Sequence, residues 1–408
     1  MAARVCRLHH VSLHVSNAVR VAGALASRFQ FVAVGARVTA RSRQLALRKG
    51  SAVFVVNERR DTGVTWTEAE ENGQGYLYDV RPCYAVDSAC NVCFEVEDVT
   101  ESCARLSDRG CDVLVPPTEV CDPDGGGSVT YSVIRSVVGN VCHTLLDRSR
   151  YQDQGGFLPG FQRVGDGTDS EPDSRCPVTH FDHVTFACPR RSTGEVMKWY
   201  QENFGFQRFF IGRSEPQNLL LMQDMLLRYC LVVAKVYLLW FSQILVNDWR
   251  GQNQVDTFLK QHRGPGIQHI GLSTQNIVST AETMAQAGVE FFTPPPAYYT
   301  EVGKQQEILE AGHHPKELKQ HGILLDTDLR NHEDSSTMPN GRYLLQVFTK
   351  PLFSEDTFFL ELIERRGATG FGEGNIRALW RSVQSYMEKE SCEQRLDSEV
   401  KTKQTRQH

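Results

Sequence analysis

No Asp or Glu occurs in the first 57 residues of the chain, although that stretch carries eight Arg. Arg-rich, acid-free N-termini resemble mitochondrial targeting segments. The expectation is a mitochondrial address lying within or overlapping the first folded module. The alternative is a cytoplasmic protein whose first module is basic by chance. The N-terminus also lacks the compact apolar core and cleavage site of a secretory signal. The 12 cysteines, from Cys6 to Cys392, lack the spacing of a disulfide framework. They read as free thiols in a reducing compartment. Cys90 and Cys93 form one CxxC, but the second pair that such a zinc site wants is missing, so they read as residues on or beside a strand. The net charge is -5 with Lys and Arg dispersed, which gives no footprint for nucleic acid. The apolar run CLVVAKVYLLWFSQILV (230–246) is interrupted by Lys235. It falls short of the roughly 18 residues of a transmembrane helix. Buried strands or a buried helix are expected there, not a membrane span.

What is present is a soluble globular composition of 408 residues, 40% hydrophobic and 23% charged. Such a chain divides into two or three domains and can bury large cores without disulfides or structural metals. It also repeats itself. LHHVSLHV (8–15) and FDHVTFAC (181–188) both read apolar-x-His-Val and then alternate as a strand does. The stretches 91–120 and 268–299 each run strand, helix, Gly turn, short strand and Pro pair. Gly110 and Gly288 fall where a helix C-terminus needs a residue free to take positive φ. VCHTLLDRSR (141–150) resembles FFLELIERRG (358–367). Two copies of one unit follow, each containing two modules that begin with a strand and a helix. The Gly, Ser, Asp and Pro of RVGDGTDSEPDSRCP (163–177) read as a linker. Apolar residues at Ile376, Leu379, Trp380, Val383 and Met387 have helical spacing and predict a closing amphipathic helix over 375–389.

Three residues of the second copy stand out. His183 begins its first module, His269 its second, and Glu361 lies on a terminal strand, where it shares parity with Phe359. Glu361 sits among Phe and Leu, and a carboxylate there is costly to bury without a partner cation. Two imidazoles and one carboxylate on one face of a divalent ion leave three positions open, enough for a bidentate substrate and O2. The first copy carries His10, Asn91 and Thr144 at the equivalent places, and Asn and Thr are poor iron ligands. His10 alone reads as a hydrogen-bonded core histidine, and His313 and His314 as a polar loop or helix end.

At these residues the chain resembles the 4-hydroxyphenylpyruvate dioxygenase family of the vicinal oxygen chelate superfamily. The motifs are FDHV around His183, GPGIQHIGL around His269, GRYLLQVFTKP (341–351), TFFLELIERR (357–366), GFGEGNI (370–376) and FLPGF (157–161). The resemblance spans about 1–388 and is strongest in 254–382. It implies an α+β vicinal oxygen chelate fold, of the glyoxalase and bleomycin-resistance type. This means two tandem domains, each of two βαβββ modules forming curved mixed sheets. The expected boundaries are 1–162 for an N-terminal domain without metal, 163–178 for the linker, 179–390 for a C-terminal domain with the metal site, and 391–408 for a disordered tail. It further implies that His183, His269 and Glu361 bind ferrous iron, Fe(2+), and are catalytic. Gln254, Gln268, Gln346, Phe348, Phe359, Phe371 and Asn375 would line the substrate pocket. The implied partners are an aromatic 2-oxo acid and O2, and a homodimer is compatible with the chain.

Two departures bear on function. Between the two His ligands the family carries a Ser and an Asn in a Pro-rich turn, and here the apolar run 230–246 stands instead. After the Asn of GFGxGN the family usually has Phe, whereas this chain has Ile376. The sister activity, 4-hydroxymandelate synthase, has a smaller aliphatic residue there. The expected reaction is therefore 4-hydroxyphenylpyruvate plus O2 to 4-hydroxymandelate and CO2, with a role in ubiquinone ring synthesis from tyrosine. Homogentisate formation is the alternative within the family. A non-catalytic ligand-binding or scaffold protein is the alternative outside it.

Overall fold

The computed structural model describes residues 2–60, 75–152, 156–164, 175–189, 192–206, 229–233, 239–240, 254–327, 342–368, 370, 372 and 375. The first copy contains β1 (Val5–Val15), α1 (Ala18–Ser27), β2 (Val32–Val38), β3 (Ser42–Lys49) and β4 (Ala52–Arg59), then β5 (Ser88–Val96), α2 (Val99–Asp108), β6 (Val113–Cys121), β7 (Ser128–Arg135) and β8 (Cys142–Asp147). These are two βαβββ modules. Their eight strands form one mixed sheet in the order β2-β3-β4-β1-β5-β8-β7-β6, so the first strands of the two modules meet antiparallel at its centre. Each first strand also pairs parallel with the last strand of its own module, β1 with β4 and β5 with β8.

The second copy contains β9 (Val178–Ala187), α3 (Thr193–Phe204), β10 (Tyr229–Val233), β11 (Leu239–Trp240), α4 (Gln254–Gln261), β12 (Gly266–Thr274), α5 (Ile277–Gln286), α6 (Ala297–Thr300), α7 (Val302–Glu310), α8 (Pro315–His321), β13 (Leu324–Thr327), β14 (Tyr343–Phe348) and β15 (Phe359–Arg366). Its centre repeats the first: β9 and β12 are antiparallel, and β12 pairs parallel with β15. The described parts of the apolar run 230–246 lie in β10 and β11, and β10 pairs with β9. No helix among the described residues is long and apolar enough to cross a membrane.

Local chemistry explains why the helices start where they do. Asn17, Asp98 and Asn276 stand just ahead of α1, α2 and α5. Each side chain accepts a backbone N–H three residues on, satisfying one of the free donors at the helix start. Gly110 and Gly288 end α2 and α5 with φ of 81° and 89°, the left-handed backbone expected of them. On α1 the buried residues Ala18, Val21, Ala22 and Leu25 follow helical spacing. None of the ten cysteines whose side chains are described is in a disulfide. His314 caps α8, and His313 lies 3.1 Å from the Tyr343 hydroxyl.

The chain divides into two compact units. One comprises Met1–Glu290 with Phe348–Glu364 and holds the whole first sheet together with β9 to β12. Within it the copies are in direct contact: Ser51 N donates to Thr179 O at 2.7 Å, and Phe54 meets Phe181 edge-on at 5.0 Å. The other comprises Phe291–Val347 with Arg365–His408 and contains the antiparallel pair β13 and β14.

Several arginines of the acid-free start pair with acids further along the chain. Arg7 pairs with Glu95 at 2.7 Å, Arg43 with Glu58 at 3.3 Å, and Arg20 with Asp87 at 3.7 Å. The predicted closing helix beyond residue 375, the tail 391–408 and most of the 163–177 linker lie outside the described residues.

Candidate metal centre

β9, β12 and β15 are neighbours, and their register sets the site. His183 on β9 lies across from Gly271 on β12, and Gly271 lies across from Glu361 on β15. His269 is two residues from Gly271 and lies across from Phe359. Residues two apart on a strand share a face, so three side chains from three strands converge. Nε2 of His183 lies 3.0 Å from Glu361 Oε2, and Nε2 of His269 lies 3.4 Å from the same oxygen. The two rings stand edge-on at 5.5 Å. Glu361 is 1% exposed and His183 2%.

The hydrogen bonds behind these rings decide which nitrogens face inward. Asp182 Oδ1 accepts from His183 Nδ1 at 2.9 Å, and Gln268 Oε1 accepts from His269 Nδ1 at 3.2 Å. With Nδ1 carrying the proton, each Nε2 presents a lone pair. A lone pair facing a carboxylate at 3.0 Å is repulsive unless positive charge lies between them. In the apo chain a second proton on His183 supplies it. Burial alone would lower the His183 pKa, but Glu361 and Asp182 together raise it to about 9. Burial alone would raise the Glu361 pKa, yet the two imidazoles hold it down to about 2. His269 is lowered, chiefly by burial, and stays neutral. A divalent cation would replace the shared proton with the same sign of charge. The donor set, two imidazole nitrogens and one carboxylate oxygen, is the one that suits non-haem ferrous iron, so these residues fit that ion.

Of the expected pocket residues, Gln268, Phe348 and Phe359 pack around His269. Phe359 stacks on the His269 ring at 4.8 Å, and Phe348 meets His269 edge-on at 6.3 Å. Gln268 acts behind the ring of His269. Gln346 and Asn375 belong to the other unit, where Asn375 Nδ2 donates to Gln346 Oε1 at 2.9 Å and the Tyr298 hydroxyl donates to Asn375 Oδ1 at 2.8 Å. Gln254 opens α4. Phe371 and Ile376 lie outside the described residues.

Three contributors escape the sequence reading. Asp182 precedes His183, and regular alternation would put the two on opposite faces. A β-bulge there shifts the register from Gly271↔His183 to Leu272↔Phe181 and brings the carboxylate to the ring. Gly271 leaves room for His183, since a Cβ at that position would lie 2.4 Å from the ring. The Thr185 hydroxyl lies 2.9 Å from His269 Nε2.

The first copy provides the comparison. By register, His10 lies across from Cys93, and Cys93 across from Thr144. Asn91 donates to Thr144 Oγ1 at 2.9 Å and to Asp79 Oδ1 at 2.6 Å. Asp79 Oδ2 in turn accepts from Asn57 Nδ2 at 3.0 Å and lies 2.9 Å from His14 Nε2. A hydrogen-bonded network built on a buried carboxylate stands where the second copy has its triad.

No family model matches the chain. A 4-hydroxyphenylpyruvate dioxygenase-like protein of Rattus norvegicus is 42% identical over 395 residues, covering 94% of this chain and 98% of the relative. A 4-hydroxyphenylpyruvate dioxygenase of Yarrowia lipolytica is 30% identical over 307 residues, covering 73% and 72%. Among solved structures, a triple mutant of 4-hydroxymandelate synthase from Streptomyces coelicolor superposes with a TM-score of 0.70 at 22% identity, covering 95% of this chain and 100% of that one. The architecture is the α+β vicinal oxygen chelate fold.

Proposed function

The chain belongs to the 4-hydroxyphenylpyruvate dioxygenase family, and on that footing we propose that it oxidises an aromatic 2-oxo acid with O2 at a ferrous centre held by His183, His269 and Glu361. The observation that carries this reading is the buried Glu361 carboxylate, with two inward-facing imidazole nitrogens 3.0 and 3.4 Å from one of its oxygens. Ferrous iron bound there would supply O2 activation and open positions for the carboxylate and keto oxygens of the substrate. The chain's own residues do the rest. Asp182 and Gln268 keep the proton on each Nδ1, so both Nε2 atoms stay available. Phe348 and Phe359 stand at 84° to one another beside His269, a corner that suits a phenyl ring by edge and offset contacts. Burial of Glu361 and His183 excludes water from the centre. The resemblance also assigns substrate contacts to Gln254, Gln346, Phe371, Asn375 and Ile376.

The proposed substrate is 4-hydroxyphenylpyruvate. It contributes the electrons for its own oxidation, one O2 is consumed and CO2 leaves. Oxygen entering at the benzylic carbon gives 4-hydroxymandelate. Oxygen entering the ring, with side-chain migration, gives the isomer homogentisate. Ile376 favours the first, because a branched aliphatic residue in place of Phe removes a flat wall beside the ring. Homogentisate is the second reading, favoured by the relatives named 4-hydroxyphenylpyruvate dioxygenase. A non-catalytic role is the third, and the run 230–246 in place of the family's Ser and Asn favours it. A mitochondrial location, supported by the acid-free start, would place hydroxymandelate where it could supply the ubiquinone ring. Anaerobic loading with Fe(II), addition of 4-hydroxyphenylpyruvate and O2, and chromatography of the product separate all three readings. Hydroxymandelate supports the proposal, homogentisate as sole product replaces it with the second, and absence of O2 consumption by the loaded protein leaves the third.

A further inference from the structure

A second group of side chains of metal-ligating type stands in the first copy, away from the triad. His9 and His10 are adjacent on β1, and a regular strand would send them to opposite faces. The register between β1 and β5 skips from Leu8↔Phe94 to His10↔Cys93, so His9 is the extra residue of a β-bulge. The bulge brings both rings to one side, with their Nδ1 atoms 2.8 Å apart. Cys93 faces them from β5, and one donor atom from each of the three residues lies within 4.8 Å of the others. All three are buried, at 7%, 1% and 0% exposure. Phe157 closes over both imidazoles, 5.6 Å from His9 and 5.8 Å from His10.

Charged side chains of both signs surround the pair of rings. His9 Nε2 lies 3.9 Å from Glu95 Oε1, and Glu95 is itself held by Arg7 at 2.7 Å and Arg148 at 3.7 Å. A proton on His9 Nε2, the nitrogen on the Glu95 side, leaves the Nδ1 lone pair facing His10 and Cys93. Carboxylate, imidazole and metal in that sequence is the usual arrangement behind a ligating histidine. Cys93 ligates as the thiolate, so an incoming metal displaces the thiol proton. The balance is one thiol and one divalent ion giving a metal thiolate and one released proton.

We propose that His9, His10 and Cys93 bind one Zn2+ that ties the bulge of β1 to β5. Two imidazole nitrogens and one thiolate are zinc's preferred donors, at about 2.0–2.1 Å and about 2.3 Å respectively, with water in the fourth tetrahedral position. Tetrahedral geometry sets the two nitrogens roughly 3.3 Å apart, so the rings open by about half an ångström from their present separation. The single CxxC therefore yields one ligand, Cys93, and the two histidines take the part of the missing cysteine pair.

Cobalt distinguishes this site from the triad, because only a thiolate ligand gives a near-ultraviolet sulfur-to-cobalt charge-transfer band, and the triad contains no sulfur. The full chain, stripped of metal and titrated with Co2+, should bind two equivalents, one of which develops that band. One equivalent of Zn2+ should abolish the band. Glu361→Ala should keep the band and lose the other equivalent. Cys93→Ser should lose the band, and His9→Gln should weaken it at least tenfold in Co2+ affinity. Circular dichroism of each apo variant checks folding, and if Cys93→Ser does not fold, His9→Gln decides. Absence of the band in the folded full chain, its survival in Cys93→Ser, or unchanged affinity in His9→Gln would overturn the proposal. None of these outcomes depends on turnover.

Discussion

A methyl group on Gly271 would lie 2.4 Å from Cε1 of the His183 ring. The nearest protein atoms are those of a buried ligand candidate that is itself fixed by Asp182 and Glu361. Real Cβ atoms do not approach ring atoms so closely, so the ring would have to turn. In the first copy Cys93 fills the corresponding place, and His10 there faces His9 and not a carboxylate. Gly271→Ala should therefore lower Fe(II) affinity by at least tenfold while the protein remains folded. Anaerobic competition against a coloured chelator measures it, and wild-type affinity would show that His183 does not need the space.

Asp182 holds His183 Nδ1–H at 2.9 Å. Asn in its place keeps an acceptor but loses the charge that makes the imidazole a better donor. Removing such a partner typically costs 10- to 100-fold in metal affinity. Asp182→Asn should fall at the lower end, about tenfold, and Asp182→Ala at the upper. The same competition assay reads both, and equal affinities in all three proteins would contradict the assignment.

Asp79 is 1% exposed and is the hub of the network with His14, Asn57 and Asn91. Burial alone would raise its pKa, but the His14 imidazole and the amide donors bring it below the ordinary value. A carboxylate lowered on folding contributes stability above its unfolded pKa, about 3.9. That contribution disappears as the pH falls through the folded value. Asp79→Asn should destabilise the protein by about 3–5 kcal/mol near neutral pH, the usual cost of breaking a buried pair. The gap between mutant and wild type should shrink as the pH falls below about 4. Urea unfolding at a series of pH values tests both the size and the sign of the trend.

In the sequence, Ile376 follows Asn375, where the helical spacing predicts a closing helix. If its short, branched side chain directs oxygen to the benzylic carbon, Ile376→Phe should move the product ratio toward homogentisate by about tenfold. That is a difference of about 1.4 kcal/mol between competing barriers. Uncoupled O2 consumption with iron retained would serve equally. An unchanged ratio would show that Ile376 does not choose the product.

Strand alternation and the two glycines at 110 and 288 are local signals, and they made the repeated modules readable. The meeting of His183, His269 and Glu361 was readable for a further reason, since the first copy supplied a set that could not bind iron. Asp182 and His9 were opaque because bulges break the alternation on which face assignment rests. Asp79 was opaque because it lies outside the strands, and only tertiary packing brings it to Asn91 and His14. Gly271 looks like an ordinary strand residue until the ring beside it is placed. The run 230–246 reads simply as apolar, and pairing of β10 with β9 follows from register that composition does not carry.

Anaerobic titration with Fe(II), followed by a single turnover with 4-hydroxyphenylpyruvate and O2, tests the central claim most directly. Wild type should bind one equivalent at the triad and release CO2 in step with O2 uptake. His183→Ala, His269→Ala and Glu361→Ala should each lose the iron or the turnover while remaining folded, and His10→Ala should keep the iron of the triad. Full iron occupancy together with full turnover in His269→Ala would contradict the account.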